Sequence, residues 1–243
     1  MRFPRRAVVL AAGLGTRLRP LTDTTPKALL EIGGRPMIEY PLRMLLRAGV
    51  TEVVVNLHHL GGQVRAALGD GTRYGMRFLY SAEDPILDTG GAIARVRPFL
   101  GDEPFAVVNC DALIDPDLPA TWALHERERA LATLVVREDP EVERYGALDL
   151  DGSGRVKRFL GQPEHVAGSL KRLMFCGVHL VSPQIFAQMP ARAVFSITRD
   201  VYAPLVRRGE PIFGFEHRGY WRDLGTSQSL DAARDDVAWG RFA

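Results

Sequence analysis

The sequence predicts an α/β fold, a Rossmann-like mixed and mostly parallel sheet with helices on both faces. Three observations predict it. Short β-branched runs such as "AVVLAA", "TEVVVNL" and "PFAVVNCD" are apolar throughout, as strands buried on both faces are. Stretches with helical periodicity separate them, giving a strand-helix rhythm over the first 140 residues. Polar and Gly-rich residues gather just after the strands, where the loops of such a sheet form a rim that binds ligands.

"AVVLAA" reads as the first strand. "PMIEYPLRMLLRAG" reads as a helix with Pro36 in its first turn and Gly49 at its end. "TEVVVNL" is the second strand, "GGQVRAALGDG" a short helix closing on glycine, and "MRFLYSAE" the third strand. "GGAIARVRPFL" is a helix, and Thr89 ahead of it suits an N-cap. "PFAVVNCD" is the fourth strand and ends on Asp111; "LPATWALHERERA" is a helix and "LATLVVRE" the fifth strand. Beyond residue 140 the rhythm changes. "RYGALDLDGSGRVKRFL" is two strands about a "DGSG" turn. "LMFCGVHLVSP" is a strand, "SITRDVYAPLVRRGE" a helix opened by Ser196, and "PIFGFEHRGYW" a strand. "TSQSLDAARDDVAWGRF" is a last helix capped by Thr226 or Ser227.

Composition narrows the function classes. With 243 residues and 46% hydrophobic content, the chain can bury one large domain. No run of five like charges appears, which argues against a nucleic-acid arm, while the net charge of +2 suits a small anionic ligand. The basic, then apolar N-terminus breaks into "GLGTRLRP" without a cleavage region, and no stretch reaches the ~18 apolar residues of a membrane span. Cys110 and Cys176 lie in apolar runs and read as buried free thiols. A cytoplasmic protein is expected. His58-His59 after the second strand reads as structural, not as a metal pair.

The segment "LAAGLGTRLRPLTDTTPKALLEIGG", Leu10 to Gly34, crowds turn formers and cations into one loop. Three of the 31 basic residues are lysines, and one of them, Lys27, is here; an ammonium is a compact point charge where a guanidinium is a fork. Gly13 and Gly15 allow a backbone to approach phosphate. Leu18 stands where a dinucleotide fingerprint needs its third glycine, and the second strand ends on Asn56-Leu57 without an acid, so a dehydrogenase is disfavoured. No G-K-[ST] exists, so a Walker loop is absent as well. Backbone N–H groups with Arg17, Arg19 and Lys27 make a polyphosphate cradle, where the alternative is a solvated surface loop.

Those residues carry a resemblance. The pattern G-x-G-T-R-x-x-P-x-T…P-K, complete from Gly13 to Lys27, resembles the signature of the sugar-1-phosphate nucleotidyltransferases. "VVNCDALID" and "GYWRDLGTSQSL" resemble two further segments of that family. The resemblance spans nearly the whole chain and implies the nucleotide-diphospho-sugar transferase fold as a single domain over 1–243. Residues 1–140 would be the nucleotide-binding half and 141–243 the sugar-binding half, with no C-terminal β-helix. It implies that Leu10, Ala11, Ala12, Gly13, Gly15, Thr16, Arg17, Lys27, Thr89, Gly90 and Gly91 meet the nucleotide. It gives Arg17 and Lys27 catalytic roles on the phosphates. It implies that Asn109, Glu143, Gly146 and Gly177 meet the sugar, and that Asp111 and Asp223 hold Mg²⁺.

Plainer readings stand beside these. Asp111 could cap a helix, Asp223 could pair with Arg222, and the glycines could serve β structure. The pattern Glu-Lys-Pro, whose lysine holds the sugar phosphate in many members, is Gly161-Gln162-Pro163 here, which leaves Lys157, Arg158 or Arg172 to replace it. The implied partners are a nucleoside triphosphate and a sugar 1-phosphate, with neither nucleic acid nor membrane. "DTGGAI" and the missing lysine resemble N-acetylmuramate-1-phosphate uridylyltransferases. "YGALDLDGSGRVKRF" and "SITRDVYAPL" are closer to mannose-1-phosphate guanylyltransferases. A phosphocholine-type cytidylyltransferase and a regulatory nucleotide-sugar binder without turnover are the alternatives. Base, sugar and oligomeric state stay open.

Overall fold

A computed structural model describes residues 2–242. In chain order its strands are β1 (Arg6–Leu10), β2 (Glu31–Ile32), β3 (Arg35–Pro36), β4 (Glu52–Leu57), β5 (Arg77–Ala82), β6 (Phe105–Asn109), β7 (Ala112–Ile114), β8 (Ala132–Arg137), β9 (Ala147–Leu150), β10 (Val156–Phe159), β11 (Lys171–Val181), β12 (Ile212–Glu216) and β13 (Trp221–Asp223). The helices are α1 (Leu21–Thr24), α2 (Glu39–Arg47), α3 (Gly61–Leu68), α4 (Asp88–Arg95), α5 (Arg97–Leu100), α6 (Leu118–Arg127), α7 (Val142–Tyr145), α8 (Ala203–Arg207) and α9 (Ser227–Ala238). This is the expected α/β architecture with a mixed, mostly parallel sheet, and no β-helix occurs among the described residues.

The chain divides into two compact units. One, the loop unit, comprises Arg5–Ile86, Val108–Asp115 and the chain from Gly219 on. Here β1 pairs parallel with β4 and β4 parallel with β5, so the valines of both "AVV" and "EVVV" are buried on the inner strands. The hairpin β2–β3 turns at Gly33 and Gly34, both in the left-handed region that glycine adopts without Cβ strain. That hairpin corrects the expected start of α2. Pro36 lies in β3, and Met37 and Ile38 donate their N–H groups to Leu30 and Ala28, so the helix begins only at Glu39.

The other, the middle unit, comprises Leu87–Val107 and Pro116–Arg218 with the residues ahead of Arg5. Its strands run β10, β9, β11, β8, β12, antiparallel except for the parallel pair β8–β12. The expected "DGSG" hairpin is β9–β10. Three boundaries differ from expectation. The helix after Leu87 is two pieces, because Pro98 has no N–H to continue the ladder past Val96. Leu87, not Thr89, is its N-cap; Asp88 has positive φ and accepts from the Thr89 N–H at 2.6 Å. "PIFGFEHRGYW" is two strands, β12 and β13, because the chain leaves one ladder after Glu216 and joins another at Trp221. Ser196 caps its helix as expected, and Thr226 forms a reciprocal capping box with Ser229 at the start of α9.

Candidate active site

The Gly-rich loop leaves β1 in the loop unit and is held from three sides. Asn56, buried at the end of β4, accepts the Ala11 N–H at 2.6 Å and donates to Glu83 at 2.9 Å. Gly15 has φ +62°, and a Cβ there would stand 2.8 Å from Thr22 Cγ2. The Thr22 hydroxyl donates to the Gly15 carbonyl at 2.9 Å, closing the loop on itself. His59 Nε2 lies 3.2 Å from the Thr22 carbonyl, and His58 Nδ1 lies 2.8 Å from the Glu83 carbonyl. Among the described residues, the N–H groups of 13–17 have no protein acceptor, and Gly13, Thr16 and Arg17 are exposed. A run of donors like this suits phosphate oxygens.

Lys27 is the buried end of the loop. It is 9% exposed, and its Nζ donates to Asp111 Oδ2 at 2.7 Å. Asp111 follows β6 by two residues, and its carbonyl accepts the Leu224 N–H at 2.9 Å. Next to that bond β13 pairs with β7, with Asp223 opposite Ala112. Asp223 Oδ2 accepts the Gly225 N–H at 3.1 Å. Arg17 comes to the same place: the position of a Cβ on Gly225 lies 2.4 Å from Arg17 Nη2 and 2.9 Å from Asp223 Oδ2. Two cations and two carboxylates are thus arranged as Lys27 on Asp111 and Arg17 beside Asp223, one ladder step apart.

One apolar cluster fixes all four. It contains Leu18, Leu30, Leu113 and Leu224, each one to three residues along the chain from Arg17, Lys27, Asp111 and Asp223 respectively, together with Ile32, Met37, Tyr40, Leu230 and Ala233. Fully burying one such leucine stabilises by about 1.5–3 kcal/mol. The charged groups therefore stand on anchored backbone. Cys110, beside Asp111, is buried and free, with its thiol pushed up to about 12 by burial and then by Asp111. It is inert packing here.

The donor set fits a hard cation. Oδ1 of Asp111 and Oδ1 of Asp223 make no protein bond among the described residues, and two carboxylate oxygens are what Mg²⁺ takes when phosphates and water supply the rest. No group of three or more His, Cys, Asp or Glu that could hold a metal occurs among the described residues.

The remaining candidates divide by unit. Leu10 and Ala11 are half-buried, Ala12 is buried, and Asn109 is half-buried at the end of β6, all in the loop unit. Thr89, Gly90, Gly91, Glu143, Gly146 and Gly177 belong to the middle unit. There Gly90 and Gly91 have a structural cause. Both donate to the Phe195 carbonyl, and a Cβ would stand 2.4 Å from the Phe195 ring and 2.1 Å from the Ala193 carbonyl. Thr89 Oγ1 accepts the Ile197 N–H at 3.0 Å. Gly146 and Gly177 both have positive φ, Gly177 at the bulge in β11. Glu143 pairs with Arg172 at 2.8 Å. Arg172 and Arg158 share Asp149, so two of the three cations considered for the sugar phosphate already face carboxylates. Asp223 does not pair with Arg222, which is held by Asp236 at 2.6 Å. Sequence reading missed Thr22, Gly225 and the positioning role of Asn56; a polar residue ending a buried valine run was the available signal for the last.

The family model described as "Nucleotidyl transferase" matches residues 6–239. The chain is 40% identical over 235 residues to the N-acetylmuramate alpha-1-phosphate uridylyltransferase of Neisseria meningitidis serogroup B, covering 94% of this chain and 96% of that protein. It is 31% identical to a mannose-1-phosphate guanylyltransferase of Mycobacterium tuberculosis, covering 96% of this chain and 65% of that longer protein. Among solved structures, a putative glucose-1-phosphate thymidylyltransferase from Bacillus anthracis superposes with a TM-score of 0.83 at 25% identity, over 97% of this chain and 95% of the other. No helix among the described residues is long and apolar enough to cross a membrane. A complete G-x-G-T-R loop signature anchored beside two carboxylates, a family model matched over residues 6–239 and a relative aligned over nearly its whole length have one reading: the chain belongs to the nucleotidyl transferase family and is a sugar-1-phosphate nucleotidyltransferase.

Proposed function

We propose that this enzyme is a Mg²⁺-dependent uridylyltransferase that joins UTP to N-acetylmuramate 1-phosphate, releasing pyrophosphate. The convergence of Lys27 on Asp111 and of Arg17 beside Asp223 carries the chemistry. The choice of base and sugar is supported by the 40% identity to a uridylyltransferase of nearly equal length, against 31% to a guanylyltransferase of which the chain spans 65%. The chain would act as one nucleotidyltransferase domain in the cytoplasm, a reducing compartment that suits two buried free thiols.

A sugar 1-phosphate oxygen attacks the α-phosphorus of UTP; the new O–P bond replaces the bond to the bridging oxygen, and pyrophosphate leaves with that electron pair. The nucleophile is already an anion, so no general base is needed. The obstacle is repulsion between two polyanions. The N–H groups of residues 13–17 would take phosphate oxygens, and Arg17 and Lys27 would neutralise charge moving onto the leaving pyrophosphate. Asp111 and Asp223 would hold Mg²⁺, which when bound draws the two reacting phosphates together.

Pyrophosphate release measured with each of UTP, GTP, dTTP and CTP against N-acetylmuramate, mannose and glucose 1-phosphates and phosphocholine tests the assignment. UTP with N-acetylmuramate 1-phosphate is expected to give the highest kcat/KM. A preference for GTP with mannose 1-phosphate would overturn the substrate assignment and leave the reaction class standing.

A further inference from the structure

In the loop unit, one chain of hydrogen bonds ties together the ends of β1, β4 and β5. Ala11, the first residue past β1, donates its N–H to Asn56 Oδ1 at 2.6 Å, and Asn56 Nδ2 donates to Glu83 Oε1 at 2.9 Å. Asn56 is 4% exposed and Glu83 3%. The backbone of Glu83 is fixed on both sides. Its N–H donates to the Leu57 carbonyl at 2.8 Å, and its own carbonyl lies 2.8 Å from His58 Nδ1. A carbonyl only accepts, so Nδ1 is the protonated ring nitrogen there.

The hydrogen-bond chain has one direction. An amide side chain carries its acceptor on one branch and its donors on the other. With its oxygen on Ala11, Asn56 turns its NH₂ toward Glu83, which meets it with an acceptor oxygen. Turned over, the amide would set NH₂ against the Ala11 N–H and oxygen against carboxylate oxygen. Both mismatches would be buried, where an unmade bond costs most. Glu83 thus selects the orientation in which Asn56 can hold Ala11. On the other side of β1, the Leu10 carbonyl accepts the N–H of Cys110, the residue ahead of Asp111, at 3.1 Å. The start of the Gly-rich loop is thereby pinned between the ends of β4 and β6.

We propose that Glu83 is a positioning residue for triphosphate binding. Acting through Asn56, its carboxylate sets where the Gly-rich loop leaves β1, and so where the N–H groups of residues 13–17 point. The proposal rests on the reading of that loop as the seat of the triphosphate, and adds a residue that acts on the loop at one remove. A backbone whose geometry is fixed before the ligand arrives binds it more tightly, because less ordering is left to do.

The test titrates non-hydrolysable analogues of UTP and GTP, each with Mg²⁺, into the full-length protein by calorimetry. An unstable variant would lower the bound fraction at saturation and leave the dissociation constant unchanged, so the constant is the readout. Glu83→Met is expected to weaken the analogue that wild type prefers about tenfold, the scale of one buried hydrogen bond left unmade. Glu83→Gln keeps an acceptor for Asn56 and should stay within about threefold of wild type. Asn56→Leu should weaken binding as Glu83→Met does. Asn56→Leu combined with Glu83→Met should bind no more weakly than Asn56→Leu alone, because residues that act as one unit are not additive. That double variant strands neither member of the pair, so it decides the matter if Glu83→Met does not fold. Additive losses would overturn the proposal and give Glu83 its own contact with the nucleotide. Wild-type affinity in folded Glu83→Met would overturn it as well. A wild-type preference for the GTP analogue would overturn the uridine assignment alone, since the variants are compared on whichever analogue binds. Binding of neither analogue by wild type would overturn the triphosphate reading and the proposal together.

Discussion

The two units treat their charged residues differently. In the loop unit, Lys27 is 9% exposed, donates to one carboxylate, and stands among residues anchored by a shared apolar cluster. In the middle unit, Glu143 is 71% exposed and its partner Arg172 serves two acids. The first arrangement is preorganised: its geometry is fixed before substrate arrives, as stabilising charge in a transition state requires. The second sets Arg172 between a buried acid, Asp149, and the exposed Glu143, and that outer pair is one that water screens and a ligand can exchange. Chemistry common to a family fits the first kind of ground, and discrimination among sugars fits the second.

Removing the preorganised cation should produce the largest effect. Lys27→Met is expected to lower kcat on the order of 10²–10³ with UTP, read by pyrophosphate release, while circular dichroism shows a folded protein. Lys27→Arg should recover little, because a fork cannot replace a point charge in a buried pocket. A rate within a few fold of wild type would break the contrast between the units.

Acid should affect the middle unit next. His179 is buried against Tyr202 at 2.5 Å, and His125 lies between Thr133 and Ser182. Burial holds their pKa values down, to about 3 and about 4. The unfolded chain binds protons near pH 6.5 that the folded one refuses, so stability is full above that pH and falls as the pH drops toward 4. At pH 5 each histidine should cost about 2 kcal/mol relative to pH 7, seen as a lower denaturant midpoint and as earlier hydrogen exchange in β8 and β11. An unchanged midpoint over that range would contradict the buried neutral state.

A smaller effect should come from Gly225→Ala. The added methyl would meet Arg17 and the Asp223 carboxylate, so both must shift. A loss of about tenfold in kcat/KM is expected, since misplacing a preorganised group costs rate, and the melting temperature should change little. Wild-type kinetics would show that the two side chains yield at no cost.

Much of this was legible in the sequence, for physical reasons. Strands such as "AVVL" and "EVVV" announce themselves because burial on both faces excludes polar residues. The loop signature is readable because its glycines, cations and prolines all fall within one short segment, Gly13 to Lys27. Assembly of the apolar cluster was not legible: Leu18, Leu113 and Leu224 are far apart in sequence and carry no local mark. The start of α2 was misplaced because hydrophobic periodicity runs through Pro36–Ile38, while backbone bonds from Met37 and Ile38 to the loop take those residues out of the helix. Gly90 and Gly91 suggested room for a base, where tertiary packing by Phe195 and Ala193 already requires them. The cavity lined by Arg137, Lys171 and Glu216 brings together three strand ends, a juxtaposition that spacing along the chain does not encode.

The most direct measurement is divalent-ion binding, by Mn²⁺ paramagnetic resonance, to wild type, Asp111→Asn and Asp223→Asn in the presence of a non-hydrolysable UTP analogue. Each variant is expected to bind Mn²⁺ at least tenfold more weakly than wild type while remaining folded. Unaltered binding in both would contradict the assignment of these two carboxylates as the metal's protein ligands.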